Sequence, residues 1–201
     1  MDKQSVRERV QTALAAVTPA EVERRSRAVC ATVGGLVEFR NAGVVMVYMP
    51  IATEVNVEPL AEQAWQSGKT VAVPKVDLPR RCMTPVVIHS LADGFVDGSY
   101  NIREPSDGEE LDPWRIDLVI APAVAYDRRG NRLGRGGGFY DRFLASCPRS
   151  TVVCGVAFTE QLLEEIPVTE NDMPVDLIVT DTEVLRFSDG FADQAAQERN
   201  G

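Results

Sequence analysis

Between Arg128 and Asp141 the chain gathers residues able to hold a multiply charged anion. Arg128, Arg129, Arg132 and Arg135 supply forked guanidinium donors, and Gly134, Gly136, Gly137 and Gly138 lack a Cβ, so the backbone there can approach a ligand closely. Before them Leu118–Ala121 is an unbroken apolar run, as in a strand buried on both faces. After them Gly138–Ser146 carries Phe139, Phe143 and Leu144 at helical spacing, with Tyr140 on a neighbouring face. Strand, glycine-rich basic loop over 123–138, then helix N-terminus is an order that suits phosphate, because free N–H groups and the positive end of the helix dipole meet there. A solvated surface loop is the plainer reading of the glycines alone; the arginines and the flanking elements favour phosphate. Asp141 suits the first turn of a helix, and beside anion-binding donors it also suits a cation that bridges carboxylate and phosphate.

Familiar phosphate loops do not account for this stretch. No Lys-Ser or Lys-Thr follows it to complete a Walker A loop, and Phe139 stands where a dinucleotide-binding fingerprint requires glycine. The string DRRGNRLGRGGGFYDRFL instead resembles the signature of the 5-formyltetrahydrofolate cyclo-ligase family, FDxxGxRLGxGxGYYDxxL. One departure is plain: Phe139 replaces the first tyrosine of YYD, losing a hydroxyl and keeping the ring.

Further segments carry the resemblance. Lys3 and Arg7 lie four apart in an amphipathic stretch over 2–17. On their own they read as a solvated basic face, whereas the family opens with a KxxxR pair that holds ATP phosphates. Glu54 follows the apolar strand GVVMVY and Pro50, beyond a strand's carboxyl end where open α/β sheets bind ligands. A lone glutamate in a loop is usually solvated; the family's YxPxxxEVxT segment makes this one a folate contact, with Met49 nearby. Tyr100, in a segment that resembles GIxEP with Asn101 for the common glycine, either stacks on a flat heterocycle or is a half-buried loop aromatic. Asp172 matches the first aspartate of the family's PxxxxDxxVD segment.

The resemblance implies ATP-dependent closure of 5-formyltetrahydrofolate to 5,10-methenyltetrahydrofolate, with Mg²⁺ and with release of ADP and phosphate. By the same resemblance Lys3, Arg7, Arg132, Leu133, Gly134, Arg135, Gly136, Gly137, Gly138, Phe139 and Tyr140 would bind ATP. Arg132 and Arg135 would stabilise the transferring phosphoryl, and Asp141 and Asp172 would hold Mg²⁺. Met49, Glu54, Tyr100, Arg135, Gly136, Gly137, Gly138 and Phe139 would frame the folate. Arg128 and Arg129 read as peripheral, and His89, the one histidine, has no triad to join.

These residues must be positioned by strands that alternate with helices, which predicts an α/β, three-layer sandwich around a mostly parallel sheet. The family resembles the sugar-phosphate isomerase and CoA transferase-like fold group. Predicted helices cover 2–17, 19–33 (behind a Thr18–Glu21 capping box), 57–66 and 159–165; predicted strands cover 43–48, 70–73, 86–88, 118–121, 151–158 and 175–180. At 201 residues the chain fits one domain, read as 1–188, with a polar tail over 189–201. A net charge of −9 argues against nucleic acid or anionic membrane as partner. Four cysteines without CxxC spacing, and no apolar signal segment, predict a reduced cytoplasmic protein, monomeric or weakly dimeric. Two other readings remain: a phosphosugar isomerase of the same fold group, which would leave Lys3 and Arg7 without purpose, and a non-catalytic nucleotide- or RNA-binding relative.

Overall fold

A computed structural model of the chain describes residues 1–98 and 102–187. Tyr100 and the tail expected over 189–201 lie outside the described residues. In chain order the elements are α1 (Lys3–Leu14), α2 (Pro19–Gly35), α3 (Val37–Asn41), β1 (Val44–Met46), α4 (Glu58–Gln66), β2 (Thr70–Asp77), β3 (Cys82–Ile88), β4 (Phe95–Asp97), β5 (Arg103–Pro105), β6 (Leu118–Ala121), β7 (Ala125–Asp127), β8 (Arg132–Leu133), α5 (Phe139–Leu144), β9 (Val152–Ala157), β10 (Leu162–Leu163), β11 (Leu177–Thr180) and β12 (Val184–Arg186).

The main sheet has the order β12-β11-β9-β6-β1-β2-β3. Its five inner strands pair in parallel, and β3 and β12 close the two edges antiparallel. Strand periodicity explains why both faces are dry. In β6, Leu118 and Ile120 face one core with Val29 and Val33 of α2 and Leu60 of α4, while Val119 and Ala121 face the other with Phe143 and Leu144 of α5. Thr18 caps α2 reciprocally with Glu21, Oγ1 accepting from the Glu21 N–H and the Glu21 carboxylate accepting from the Thr18 N–H. Arg25 then ties α2 to the far side of the sheet, paired with Glu160 at 2.5 Å and Asp181 at 2.7 Å and lying over the Phe158 ring.

Three sequence expectations change. The stretch 123–138 is not a loop throughout: β7 and β8 lie within it, and with β10 they form a separate three-stranded sheet. Asp127 organises the turn between β7 and β8. Fully buried, it accepts N–H bonds from Arg129 and Asn131 and one from the Asn131 side chain. The helix expected over 159–165 is a 3-10 turn, Thr159–Gln161, running into β10. The strand expected to stop at Pro74 continues to Asp77, because β1 pairs with β2 only as far as Ala72. From Pro74 onward β2 has a neighbour on one side alone, so the missing proline N–H breaks no ladder.

The small sheet is seated on β9 through Tyr126. Its ring lies over Gly155, where a Cβ would stand 2.6 Å from the ring, and its hydroxyl donates to the Ala121 carbonyl at 2.6 Å. Gly155→Ala is expected to destabilise the protein by about 1–3 kcal/mol through forced displacement of a fully buried ring. Urea denaturation of the variant beside the parent protein measures this.

Candidate active site

The helix α1 begins at Asp2, whose carboxylate accepts the Ser5 N–H at 2.8 Å. Val6 and Val10, one turn apart, pack on Ala125 of β7 and Leu133 of β8. That seating turns Lys3 and Arg7 toward the loop after β8. The Arg7 guanidinium donates through Nε to the Gly134 carbonyl at 3.0 Å. The loop then bends through Gly136 (φ 105°) and Gly138 (φ 64°), both in the left-handed region that a side chain resists, and Gly138 is the N-cap of α5. This bend returns the chain to Arg132, whose NH2 donates to the Asp141 carboxylate at 2.6 Å.

These pieces enclose a cavity of about 330 Å³. Lys3, Arg7, Arg132, the loop 134–138, Phe139, Tyr140, Asp141 and Asp172 line it, together with Met49 and Glu54 from the opposite side. The expected site residues within the described part of the chain therefore converge, although Lys3 and Asp172 are 169 positions apart. Leu133 borders the cavity while its side chain belongs to the Val6–Val10 packing. Arg128 and Arg129 turn outward to Glu183 and Glu165, as expected of peripheral residues. His89 is exposed beyond β3.

One correction concerns what holds an anion. With six residues, α5 is too short for its dipole to add much, and Gly138 gives no side-chain cap. The cationic groups bordering the cavity are side chains, Lys3, Arg7, Arg132 and Arg135 among them.

The cations are not idle. Lys3 meets Asp172 at 2.5 Å, Arg132 meets Asp141 at 2.6 Å and Arg135 meets Glu54 at 2.9 Å. Arg7 bonds to a carbonyl, without a carboxylate among the described residues. The segment containing Asp172 is brought beside α5 by the Met173 N–H, which donates to Asp141 at 3.2 Å. Asp141 and Asp172 thus share a cavity and a chain contact. The Arg135–Glu54 pair stands where the cavity meets a neighbouring cleft of about 220 Å³ lined also by Gln11, Thr53 and Gln161.

Burial pushes the Asp172 carboxyl up, but the Lys3 ammonium and the Thr169 N–H outweigh it, and the group titrates below its ordinary 3.8. Burial raises Tyr48, Tyr126 and Tyr140 and keeps their hydroxyls protonated.

Residue types and spacing did not single out Tyr48, Pro74, Val76, Met83 or Glu104, all of which line the cavity. Tyr48 and Glu104 are buried, and β2 and β3 bring Val76 and Met83 as an apolar wall. Glu104 could have been found through the glutamate of the GIxEP-like segment. The apolar wall carries no sequence mark.

Comparison with known proteins decides the family. The model of the 5-formyltetrahydrofolate cyclo-ligase family matches residues 1–181. The chain belongs to this family. Curated cyclo-ligases from Mus musculus (29% identical, covering 88% of this chain and 92% of the relative) and Escherichia coli K12 (34% identical, 73% and 82%) span most of the same length. The solution structure of Aquifex aeolicus 5,10-methenyltetrahydrofolate synthetase superposes with a TM-score of 0.83 at 34% identity, covering 94% of this chain and 95% of that one. A synthetase from Mycoplasma pneumoniae, 22% identical over 90% of this chain and 99% of its own, shares the fold with a TM-score of 0.74. Cyclo-ligase membership makes the chain an enzyme of the ligase class, and the mixed sheet with parallel centre is the fold of these synthetases.

Because the Asp172 carboxyl is depressed in the folded state, its contribution to stability is complete above its unfolded value of 3.8 and is lost as pH falls through the lower folded value. Asp172→Asn is expected to cost roughly 0.2–1 kcal/mol at pH 7. The gap from the parent protein closes as pH falls below 3.8, measured by urea denaturation at several pH values.

Proposed function

We propose that the protein converts 5-formyltetrahydrofolate to 5,10-methenyltetrahydrofolate with consumption of ATP, in a Mg²⁺-dependent reaction. The observation that carries this reading is the convergence of Lys3, Arg7, Arg132 and the 134–138 loop on one cavity that also holds Asp141 and Asp172, in a chain of the cyclo-ligase family.

The chemical difficulty is the formyl oxygen on N5, which is amide-like and does not leave as oxide. Attack of that oxygen on the ATP γ-phosphorus forms a P–O bond and breaks the β,γ-bridge, giving ADP. N10 then attacks the activated carbon and loses its proton, and the C–O bond breaks with departure of phosphate. No protein nucleophile is needed. The enzyme positions two anionic substrates and stabilises charge in transit, the general task in phosphoryl transfer.

Roles follow from place in the cavity. Lys3 and Arg7 hold ATP phosphates, the main-chain amides of the 134–138 loop cradle the transferring group, and Arg132 and Arg135 stabilise its charge. Glu54, Met49 and Phe139 frame the folate. The donor set fits Mg²⁺: two carboxylates border the space reserved for phosphate, and this ion is commonly held by one or two carboxylates with substrate oxygens and water. Asp141 and Asp172 would hold it, and its charge would neutralise the phosphate oxygens.

The ion pairs give the cavity an exchange logic. In the free protein Asp141 and Asp172 satisfy Arg132 and Lys3. With Asp141 and Asp172 holding a divalent cation, the Arg132 guanidinium and the Lys3 ammonium would be free to bond phosphate. No buried charge is then left unmatched at either stage, which in a low-dielectric site would be costly. All four cysteines are free, and no helix among the described residues is long and apolar enough to cross a membrane; the free thiols support a cytoplasmic setting.

The purified protein is expected to form methenyltetrahydrofolate, followed by its absorbance, from 5-formyltetrahydrofolate only when MgATP is present. Product without ATP, or none with it, would refute the assignment. Asp141→Asn is expected to raise the Mg²⁺ concentration for half-maximal rate at least about tenfold, and an unchanged metal titration removes Asp141 from the metal site.

A further inference from the structure

Tyr48 and Tyr140 line the cavity, and Tyr126 is buried in the core behind it. Two of these hydroxyls are satisfied by the protein itself: Tyr48 donates to the Val55 carbonyl and Tyr126 to the Ala121 carbonyl, both at 2.6 Å. The Tyr140 hydroxyl has no hydrogen-bond partner. Among the described residues it shares that condition with a single other buried side-chain atom, Nε of Arg132. The two belong together, since the Arg132 guanidinium lies over the Tyr140 ring, 5.4 Å from its centroid, and both residues line the same cavity.

Two buried donors without an acceptor, on side chains in contact, are costly in a folded protein, and such atoms call for an explanation. Here the missing partner is an acceptor, and the guanidinium selects for negative charge. A phosphoryl group, with three oxygens and a formal charge, offers acceptors to both residues. The pterin carbonyl and the formyl oxygen are neutral acceptors, and the guanidinium beside the hydroxyl favours the charged phosphoryl oxygen over them.

We propose that the Tyr140 hydroxyl is a catalytic hydrogen-bond donor to an oxygen of the phosphoryl group in transit, acting beside Arg132. This rests on the cyclo-ligase reading above and gives the hydroxyl of one expected ATP-site residue a chemical role. Held between the core and the Arg132 guanidinium, the hydroxyl acts as a fixed dipole and not as an acid that gives up its proton. The bond strengthens as charge builds on the phosphoryl oxygens, during transfer from ATP and again as phosphate leaves the folate carbon. An interaction made mainly in the transition state lowers the barrier without tightening ground-state binding.

Tyr140→Phe removes one oxygen and keeps the ring under Arg132. The expected result is a fall in kcat on the order of 10²-fold, with KM for 5-formyltetrahydrofolate and MgATP within about twofold of the parent. The urea midpoint should hold or rise, because the hydroxyl loses no partner when it is deleted. An unchanged kcat overturns the proposal. So does a raised folate KM at constant kcat, which would mark a contact to the folate, or a lowered urea midpoint, which would mark a structural hydroxyl. Parent protein that makes no methenyl product with MgATP refutes the cyclo-ligase reading itself, and this inference with it.

Discussion

A guanidinium buried to 3% exposure must have a carboxylate, and in this chain the requirement shapes the site. Arg132 sits on β8, a strand of only two residues, and its acid partner is Asp141 on the first turn of α5. Joining them obliges the intervening residues to fold back on themselves within a few positions. Glycines with positive φ make that arc possible, and its main-chain amides border the cavity as a consequence. One ion pair thus fixes a loop, a helix start and the floor of a pocket. It leaves Arg132 incompletely bonded, with Nε still short of an acceptor.

The rest of the fold serves that arrangement. The doubly buried parallel strands give a rigid edge from which β7 and α5 depart, and Tyr126 seats the small sheet on Gly155 of β9. The helix α1 is laid across β7 and β8 by two valines, which carries Lys3 and Arg7 to the loop from the opposite end of the sequence. Charge is balanced locally. In a chain with net charge −9, the cavity pairs three of its cations, Lys3, Arg132 and Arg135, with its own acids, and under the proposed function these pairs are what a ligand exchanges with. Binding by exchange of partners suits the proposed uptake of a nucleotide with its metal and its later release.

Much of this was legible in the residues. Runs such as Leu118–Ala121 announce a strand buried on both sides, because only such a strand can dispense with polar alternation. The Thr18 capping box and the glycine–arginine signature are local chemistry and read correctly. The β7–β8 hairpin was hidden because Asp127, Arg128, Arg129, Gly130 and Asn131 look like a polar loop until the buried Asp127 carboxylate is seen to gather their N–H groups. Pro74 signalled a strand end, yet whether a proline breaks a ladder depends on which neighbour the strand has, and that is tertiary information. The partners of Lys3 and Arg135 lie 169 and 81 positions away, and no spacing rule encodes them. Tyr140 was read as an ATP-binding residue; that its hydroxyl has no acceptor emerges only when every neighbour is in place.

The central claim is that the paired charges of the free cavity are the ligand-binding groups of the loaded one. A crystal structure of the protein with Mg²⁺ and a non-hydrolysable ATP analogue tests it most directly. The account predicts the terminal phosphate within hydrogen-bonding distance of Arg132 and the 134–138 amides, the cation on Asp141 and Asp172, and Lys3 turned from Asp172 to phosphate. A nucleotide bound elsewhere, or bound here with the Lys3–Asp172 and Arg132–Asp141 pairs intact and no metal on the aspartates, would contradict it.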